Sequence, residues 1–268
     1  MIIIGEKING SIPAVKAAIE KRDAAFIADR AIKQAEAGAD FIDICASTAP
    51  EEEIKTLQWL IAVVQDAVDT PLCIDSPNPR AIEAVFKDAN KPGMINSISE
   101  EGDKCEILLP LLAGNSWEVV GLTCDNKGIP CDLETKLAIT GRMVEKADKL
   151  GITPDRIHID PCVMALSTDN NALVNLGNEI RAIKALYPTI HVTGAISNIS
   201  FGLPVRPLLN KTAMAFAMEA GMDSAVLDPT NREMMGTIFA TYALMGQDKH
   251  CRKYSKAYRA GIIGPVGQ

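Results

Sequence analysis

Six short apolar runs in this chain close on Asp or Asn: Ile42-Asp43, Cys73-Ile74-Asp75, Met94-Ile95-Asn96, Ile157-His158-Ile159-Asp160, Ala195-Ile196-Ser197-Asn198 and Val226-Leu227-Asp228. No other feature constrains the fold as tightly. The runs are near-continuously apolar rather than alternating, which is how strands covered on both faces read. Counted together with their neighbours, β-like runs fall at 2–5, 41–45, 72–75, 94–97, 119–124, 157–160, 191–197 and 224–228.

Helical periodicity fills the gaps at 24–37, 52–68, 80–86, 104–112, 133–150, 172–186, 211–220 and 233–244, with Gly151 a fitting stop for the fifth of these. Eight strand–helix alternations with short connections predict a single-domain (β/α)8 TIM barrel over 1–268, an α/β fold; a doubly wound open sheet is the structural alternative. An extra helix is expected at 11–20, and the tail at 253–268, with Gly264-Pro265, has no place in the repeat.

Composition removes several function classes. A net charge of -7 without a Lys/Arg block argues against nucleic acid or an anionic membrane surface as partner. No run of 18 uncharged apolar residues suggests a membrane span. Seven cysteines form an odd set with no CxxC, and no basic-then-apolar leader precedes them, so free thiols in a reducing cytoplasm are expected. Cys124 and Cys131 lack a nearby histidine, and His158, His191 and His250 are scattered, so no metal is assigned. GxGxxG, GxxxxGK[ST] and GxSxG are all missing, which leaves dinucleotide, P-loop and serine-hydrolase readings without support.

In a barrel of this kind the loops after the strands build the site. The polar strand-end residues therefore converge on one mouth: Glu6, Asn9, Asp43, Asp75, Asn96, Thr123, Asp125, Asp160, Asn198 and Asp228. A polar residue ahead of a helix is often only its cap. Asn78 before Pro79 reads as a cap and leaves Asp75 free; Ser99 before Glu100 and Glu101 reads as a cap and leaves Asn96 free. Thr230 with Glu233 reads as a capping box, Asp132 as a cap, and Glu51, Glu52 and Glu53 as complements to a helix dipole. Asp75, Asn96, Asp160 and Asn198 stand as leading candidates. Asp43 and Asp228 rank second, because either carboxylate can pair with Lys7 or Arg206 instead.

Carboxylates accept several N–H bonds and carboxamides both accept and donate, so a metal-free ring of them suits a flat heterocycle rich in N–H groups and ring nitrogens. A pterin or a purine fits. The scarcity of aromatic residues at these ends speaks against stacking on a sugar.

Taken in order, Gly5-Glu6-Lys7-Ile8-Asn9-Gly10, Cys73-Ile74-Asp75-Ser76, Met94-Ile95-Asn96-Ser97, Gly128-Ile129-Pro130, Ile159-Asp160-Pro161 and Ser197-Asn198-Ile199-Ser200 with Arg206-Pro207-Leu208 cover almost the whole chain. The set resembles the pterin-binding methyltetrahydrofolate:corrinoid protein methyltransferases and, more distantly, the folate domain of cobalamin-dependent methionine synthase. The resemblance implies a barrel that takes tetrahydrofolate or 5-methyltetrahydrofolate and exchanges a methyl group with a corrinoid carried by a separate corrinoid protein, commonly as a homodimer. It implies Asp75, Asn96 and Asp160 on the pyrimidine edge of the pterin and Asn198 at N5. Asn198, Asp75 and Asp160 form the expected catalytic set, with Glu6, Asp43, Asp125, Arg206 and Asp228 as second-rank contacts. Cys45 and Asp125-Asn126 depart from the family pattern. Two alternatives stay open: a dihydropteroate synthase-like enzyme, suggested by Ser47-Thr48-Ala49-Pro50, and a folate-binding subunit without catalysis. Expulsion of pyrophosphate by the former needs basic groups at the last strand end, where this chain has Asp228-Pro229-Thr230-Asn231. The direction of methyl transfer is open as well.

Overall fold

A computed structural model describes residues 1–265; the last three residues of the 1–268 domain span and of the 253–268 tail lie outside the described residues. Strands and helices alternate as β1 (Ile2–Asn9), α1 (Pro13–Lys21), α2 (Ala24–Glu36), β2 (Phe41–Cys45), α3 (Pro50–Ala67), β3 (Leu72–Asp75), α4 (Pro79–Val85), β4 (Met94–Glu100), α5 (Lys104–Leu108), β5 (Glu118–Asp125), α6 (Leu133–Asp148), β6 (Ile157–Asp160), α7 (Ala172–Leu186), β7 (His191–Val192), α8 (Arg206–Ala220), β8 (Ser224–Leu227), α9 (Arg232–Leu244) and α10 (Arg252–Arg259). Every ladder is parallel, in the order β7-β6-β5-β4-β3-β2-β1-β8. The two ends of that sheet meet through Asp223 N–H to the Val192 carbonyl (3.3 Å) and Val226 N–H to the Gly194 carbonyl (3.2 Å), which brings the sheet round into a (β/α)8 barrel.

Two apolar layers explain why the strands read as continuous. Ile42, Ile44, Ile74, Ile95, Val119 and Ile159 face outward onto helix residues such as Leu57, Leu60, Ile82, Ile139 and Ile180, all buried. Inside the barrel a smaller plug of Ile4, Phe41, Cys73, Met94 and Val120, flanked by Ile2, Leu122 and Val226, fills the lumen. Full burial of each such aliphatic side chain contributes about 1.5–3 kcal/mol. Side chains on a strand alternate with period two. The next inward positions above Ile4, Phe41, Cys73, Met94 and Val226 are therefore Glu6, Asp43, Asp75, Asn96 and Asp228.

The structure departs from the sequence reading in several places. β7 stops at Val192 instead of running to Ser197. Gly194 lies just past that end: its carbonyl still accepts Val226 N–H, and a Cβ there would stand 3.0 Å from Val163 Cγ2 and 3.4 Å from Asp160 Oδ1, so the close pass over the β6 loop suits glycine. The chain then coils into a 3-10 turn, Ile196–Ser200, so Asn198 is a turn residue. α8 begins at Arg206, well before the expected 211, because Pro207 is tolerated in a first turn. Ser99 does not cap a helix; it lies buried inside β4 and hydrogen-bonds Glu101. Thr230 is likewise no capping box: Asn231 caps α9 on Met234 N–H (3.1 Å), Thr230 bonds Asp228, and Glu233 pairs with Lys211. Glu53 is buried, where Ser76 Oγ donates to it at 2.6 Å, so it braces the β3 loop as well as standing in a first helical turn. The Asn78 and Asp132 caps form as read, on Arg80 N–H and Thr135 N–H. The start of the tail is α10, and Arg232 donates to the carbonyls of Ile263, Gly264 and Pro265.

One buried ion pair fastens the loop after β6. Lys136 Nζ, on α6, reaches Glu179 of α7 at 2.8 Å and the Pro161 carbonyl at 2.7 Å. Removing one partner of such a pair leaves an uncompensated charge in a low-dielectric interior. Lys136→Met should therefore destabilise the chain by about 3–5 kcal/mol in urea unfolding, and adding Glu179→Met should recover most of the loss.

Candidate functional site

Register brings the strand-end residues side by side. Asn9 lies opposite Cys45, Cys45 opposite Asp75, and Asp75 opposite Asn96, so β1 to β4 present one row of polar groups across the mouth. Asn96 Nδ2 donates to Asp43 Oδ1 (3.3 Å) one pleat below. The Cys45 thiol meets Ser47 Oγ at 3.3 Å, and the Cys45 and Cys73 thiols lie beside Asp75 and Asp43. Asn9 Oδ1 accepts from Ser11 N–H (2.9 Å) and Ser47 Oγ (3.2 Å), which ties the β1 and β2 loops together.

Burial controls the charge state of this row. Asp43 is held well above the usual carboxylate range, chiefly by desolvation and next by the charge of Asp75. Asp75 itself is raised to about 6, again by desolvation, although the neighbouring Cys45 thiol opposes the shift. Glu6 rises to about 7 through desolvation and the nearby charge of Asp228, with Lys7 opposing. The same loss of water pushes the Cys45 and Cys73 thiols up, leaving them neutral donors.

Across the mouth, Asp160 ends β6 with Oδ1 accepting the Cys162 N–H at 2.7 Å; desolvation raises it to about 6. Cys162 takes φ 64, a left-handed conformation that turns its N–H back onto that carboxylate. Asn198 sits exposed on its turn, on the same rim but apart from the Asp43–Asp75–Asn96 contacts. Glu6, Asp43, Asp75, Asn96 and Asp228 thus interact through bonds or charge, while Asp160 ends β6 and Asn198 stands on the turn after β7, outside that set.

Three second-rank residues have local duties. Asp125 folds a turn by accepting Lys127 N–H (2.8 Å). Arg206 holds the β7 loop, donating to the Ser197 carbonyl (2.8 Å) and Ser200 Oγ (3.0 Å). Asp228 meets Lys7 at 3.3 Å and takes both Thr230 N–H (2.9 Å) and Thr230 Oγ1 (2.6 Å). Sequence reasoning missed the two thiols beside the carboxylates, and the brace of Glu53, Ser76 and Asn78 behind Asp75. Period-two counting back from Asp75 and forward from Asp43 would have put Cys73 and Cys45 in the same lumen.

A sequence model of the family described as pterin binding enzyme matches residues 14–246. A methylcorrinoid:tetrahydrofolate methyltransferase of Eubacterium limosum is 60% identical over 268 residues, covering 99% of this chain and 99% of that protein. A methionine synthase of Mycobacterium leprae (strain TN) is 27% identical over 240 residues, which are 85% of this chain and 20% of the synthase. Among solved structures, a dihydropteroate synthase of Xanthomonas albilineans superposes with a TM-score of 0.69 at 20% identity, over 92% of this chain and 93% of its own; at that identity the likeness concerns the fold.

The raised carboxyl groups predict a pH dependence of stability with a definite sign. Asp75, Asp160 and Glu6 hold protons more tightly folded than unfolded, so their contribution to stability is greatest in acid. It declines as pH rises from the unfolded value of about 4 towards about 6 for the aspartates and about 7 for Glu6. Asp75→Asn should flatten that slope and stabilise the ligand-free protein at pH 7.5 by about 1–3 kcal/mol, read by urea denaturation at a series of pH values.

Proposed function

The chain belongs to the pterin binding enzyme family, and from that membership we propose that it moves a methyl group between the cobalt of a separate corrinoid protein and N5 of tetrahydrofolate. The observation that carries the reading is the 60% identity, end to end, with the Eubacterium limosum methylcorrinoid:tetrahydrofolate methyltransferase. The site supports it. A pterin edge presents an amino group and a ring N–H, and the ionised carboxylates of Asp75 and Asp160 accept such donors while Asn96 both accepts and donates. Folate binding then draws the protons off Asp75 and Asp160, exchanging repulsion between carboxylates for charge-assisted bonds.

Asn198 is the residue assigned to N5. It is neutral, stands on a turn rather than in the row of acids, and has its side chain exposed at the rim, where a large partner can approach. Phe201 and Val205 beyond that turn and Leu208 in the first turn of α8 are 67%, 70% and 60% exposed, an apolar margin of the kind that protein partners cover. A hydrogen bond from N5–H to the carboxamide oxygen strengthens as N5 becomes cationic, and so stabilises the transition state more than the neutral ground state.

Mixing the protein with tetrahydrofolate and methylcobalamin, and following the cobalt spectrum, tests the activity; folate binding without any spectral change would favour a binding subunit. Within that assay Asn198→Ala should slow transfer by about 30- to 1,000-fold, the worth of a contact of roughly 2–4 kcal/mol, with folate affinity changed far less. Equal losses would make Asn198 a plain binding residue. Tetrahydrofolate affinity should also fall as pH drops through about 6, where Asp75 and Asp160 take up protons.

A further inference from the structure

The site carboxylates differ in what already occupies them. Asp43 accepts from Asn96, Asp160 from the Cys162 N–H, and Asp228 from Lys7 and Thr230. Among the described residues, Asp75 lies beside the Cys45 thiol without a hydrogen bond or salt bridge to its carboxylate, and so does the Glu6 carboxylate beside Asp228 and Lys7. Glu6 is largely buried, and it opens into a cavity of 80 Å³ whose wall also includes Ser197, Asn210, Asp228 and Asn231. Such a space is polar and roomy enough for a small number of waters with several partners each. Ser197 immediately precedes Asn198, so the cavity joins the free carboxylate on β1 to the turn assigned to the folate nitrogen.

This matters because N5 of tetrahydrofolate carries a hydrogen. When its lone pair forms the N–CH3 bond, the electron pair of the broken C–Co bond stays on cobalt, and the nitrogen is left cationic with both methyl and hydrogen attached. That proton must leave before methyltetrahydrofolate is released as a neutral amine. Building on the function proposed above, we propose that Glu6 accepts this proton through water held in the cavity it shares with Ser197 and Asp228. The proton then returns to solvent along the Asp228 wall, at the rim where the Lys7–Asp228 pair is part-exposed.

The charged groups around Glu6 poise it for that task. Lys7 adjoins it on β1, Asp228 faces it from the end of β8, Asp43 lies inward on β2, and Arg206 stands behind Ser197; the α8 and α9 residues on the cavity, Asn210 and Asn231, are neutral. Desolvation and Asp228 hold its carboxyl near 7, where a base and its conjugate acid are both accessible.

The test uses the full chain with tetrahydrofolate and methylcobalamin. The wild-type transfer rate should rise with pH through a limb near 7, matched by proton release in weakly buffered indicator dye. Glu6→Gln should bind tetrahydrofolate within about 3-fold of wild type, lose about 100-fold in rate and lose the limb. Glu6→Asp should keep the limb and sit between the two in rate; if the Gln variant does not fold, Glu6→Asp decides alone, and an unchanged rate overturns the proposal. Wild-type rate and pH profile in Glu6→Gln overturn it while leaving the methyltransferase reading intact. A wild-type protein that binds folate but transfers nothing overturns both.

Discussion

Carboxyl groups gathered in a dry barrel mouth with few cations to offset them are what the rest of this structure accommodates. Asp43, Asp75, Asp160 and Glu6 are each displaced upward by desolvation first and by a nearby acid as well. Their surroundings are mostly neutral: two neighbouring thiols, one carboxamide and one backbone N–H, with the ion pair of Lys7 and Asp228 at the rim. Neutral donors lower the cost of an ionised carboxylate without cancelling its charge. The ligand-free mouth is thus held at a free-energy disadvantage that a ligand rich in N–H donors relieves, the usual relation between stability and function at such sites.

The barrel makes that arrangement possible by separating the polar row from the groups that fold the chain. An apolar plug closes the lumen one pleat below the acids, and the outer apolar layer seals strands to helices. The loops after the strands are then pinned from outside the mouth. Glu53 and Asn78 hold Ser76 behind Asp75, Lys136 and Glu179 hold Pro161 behind Asp160, and Arg206 clasps the turn that carries Asn198. Each brace sits on a helix, so side chains that face the ligand carry little of the structural work.

This division explains what was legible in the sequence. Strands β2, β3 and β6 appear with the bounds their apolar runs suggest, since a run buried on both faces has a sharp polar end. Asp75 and Asn96 fall on neighbouring strands in register for the same reason. β7 is shorter than its apolar pattern suggests because Val192, Ala195 and Ile196 keep that pattern past the strand's end and into a turn, a tertiary outcome that no local pattern carries. Glu53 was read only as a dipole complement because three consecutive glutamates look alike until α3 is rotated against β3. The loops were least legible: Thr230 and Asn231 are both good cap residues, and Asp228 decided between them by taking the threonine hydroxyl.

The remaining tension is between recognition and chemistry. A ring of anions favours a protonated ligand amine, yet a nitrogen that is to attack a methyl group must keep its lone pair free. Uniform acidity around the mouth would hold the ligand tightly and in the wrong protonation state. The structure distributes the groups unevenly instead. Asp43, Asp75 and Asn96 lie together in the lumen on one side, Asp160 is tied down by a backbone N–H, and the turn at Ile196–Ser200 offers a neutral carboxamide near the rim. Under the function proposed above, negative potential is thereby concentrated on the part of the heterocycle that donates hydrogens, while the reacting nitrogen meets a group that responds to its charge without demanding it. The break in β7 is what permits this. A strand continued to Ser197 would hold that stretch in the ladder, whereas the turn lifts Asn198 to the exposed rim, within reach of a second macromolecule.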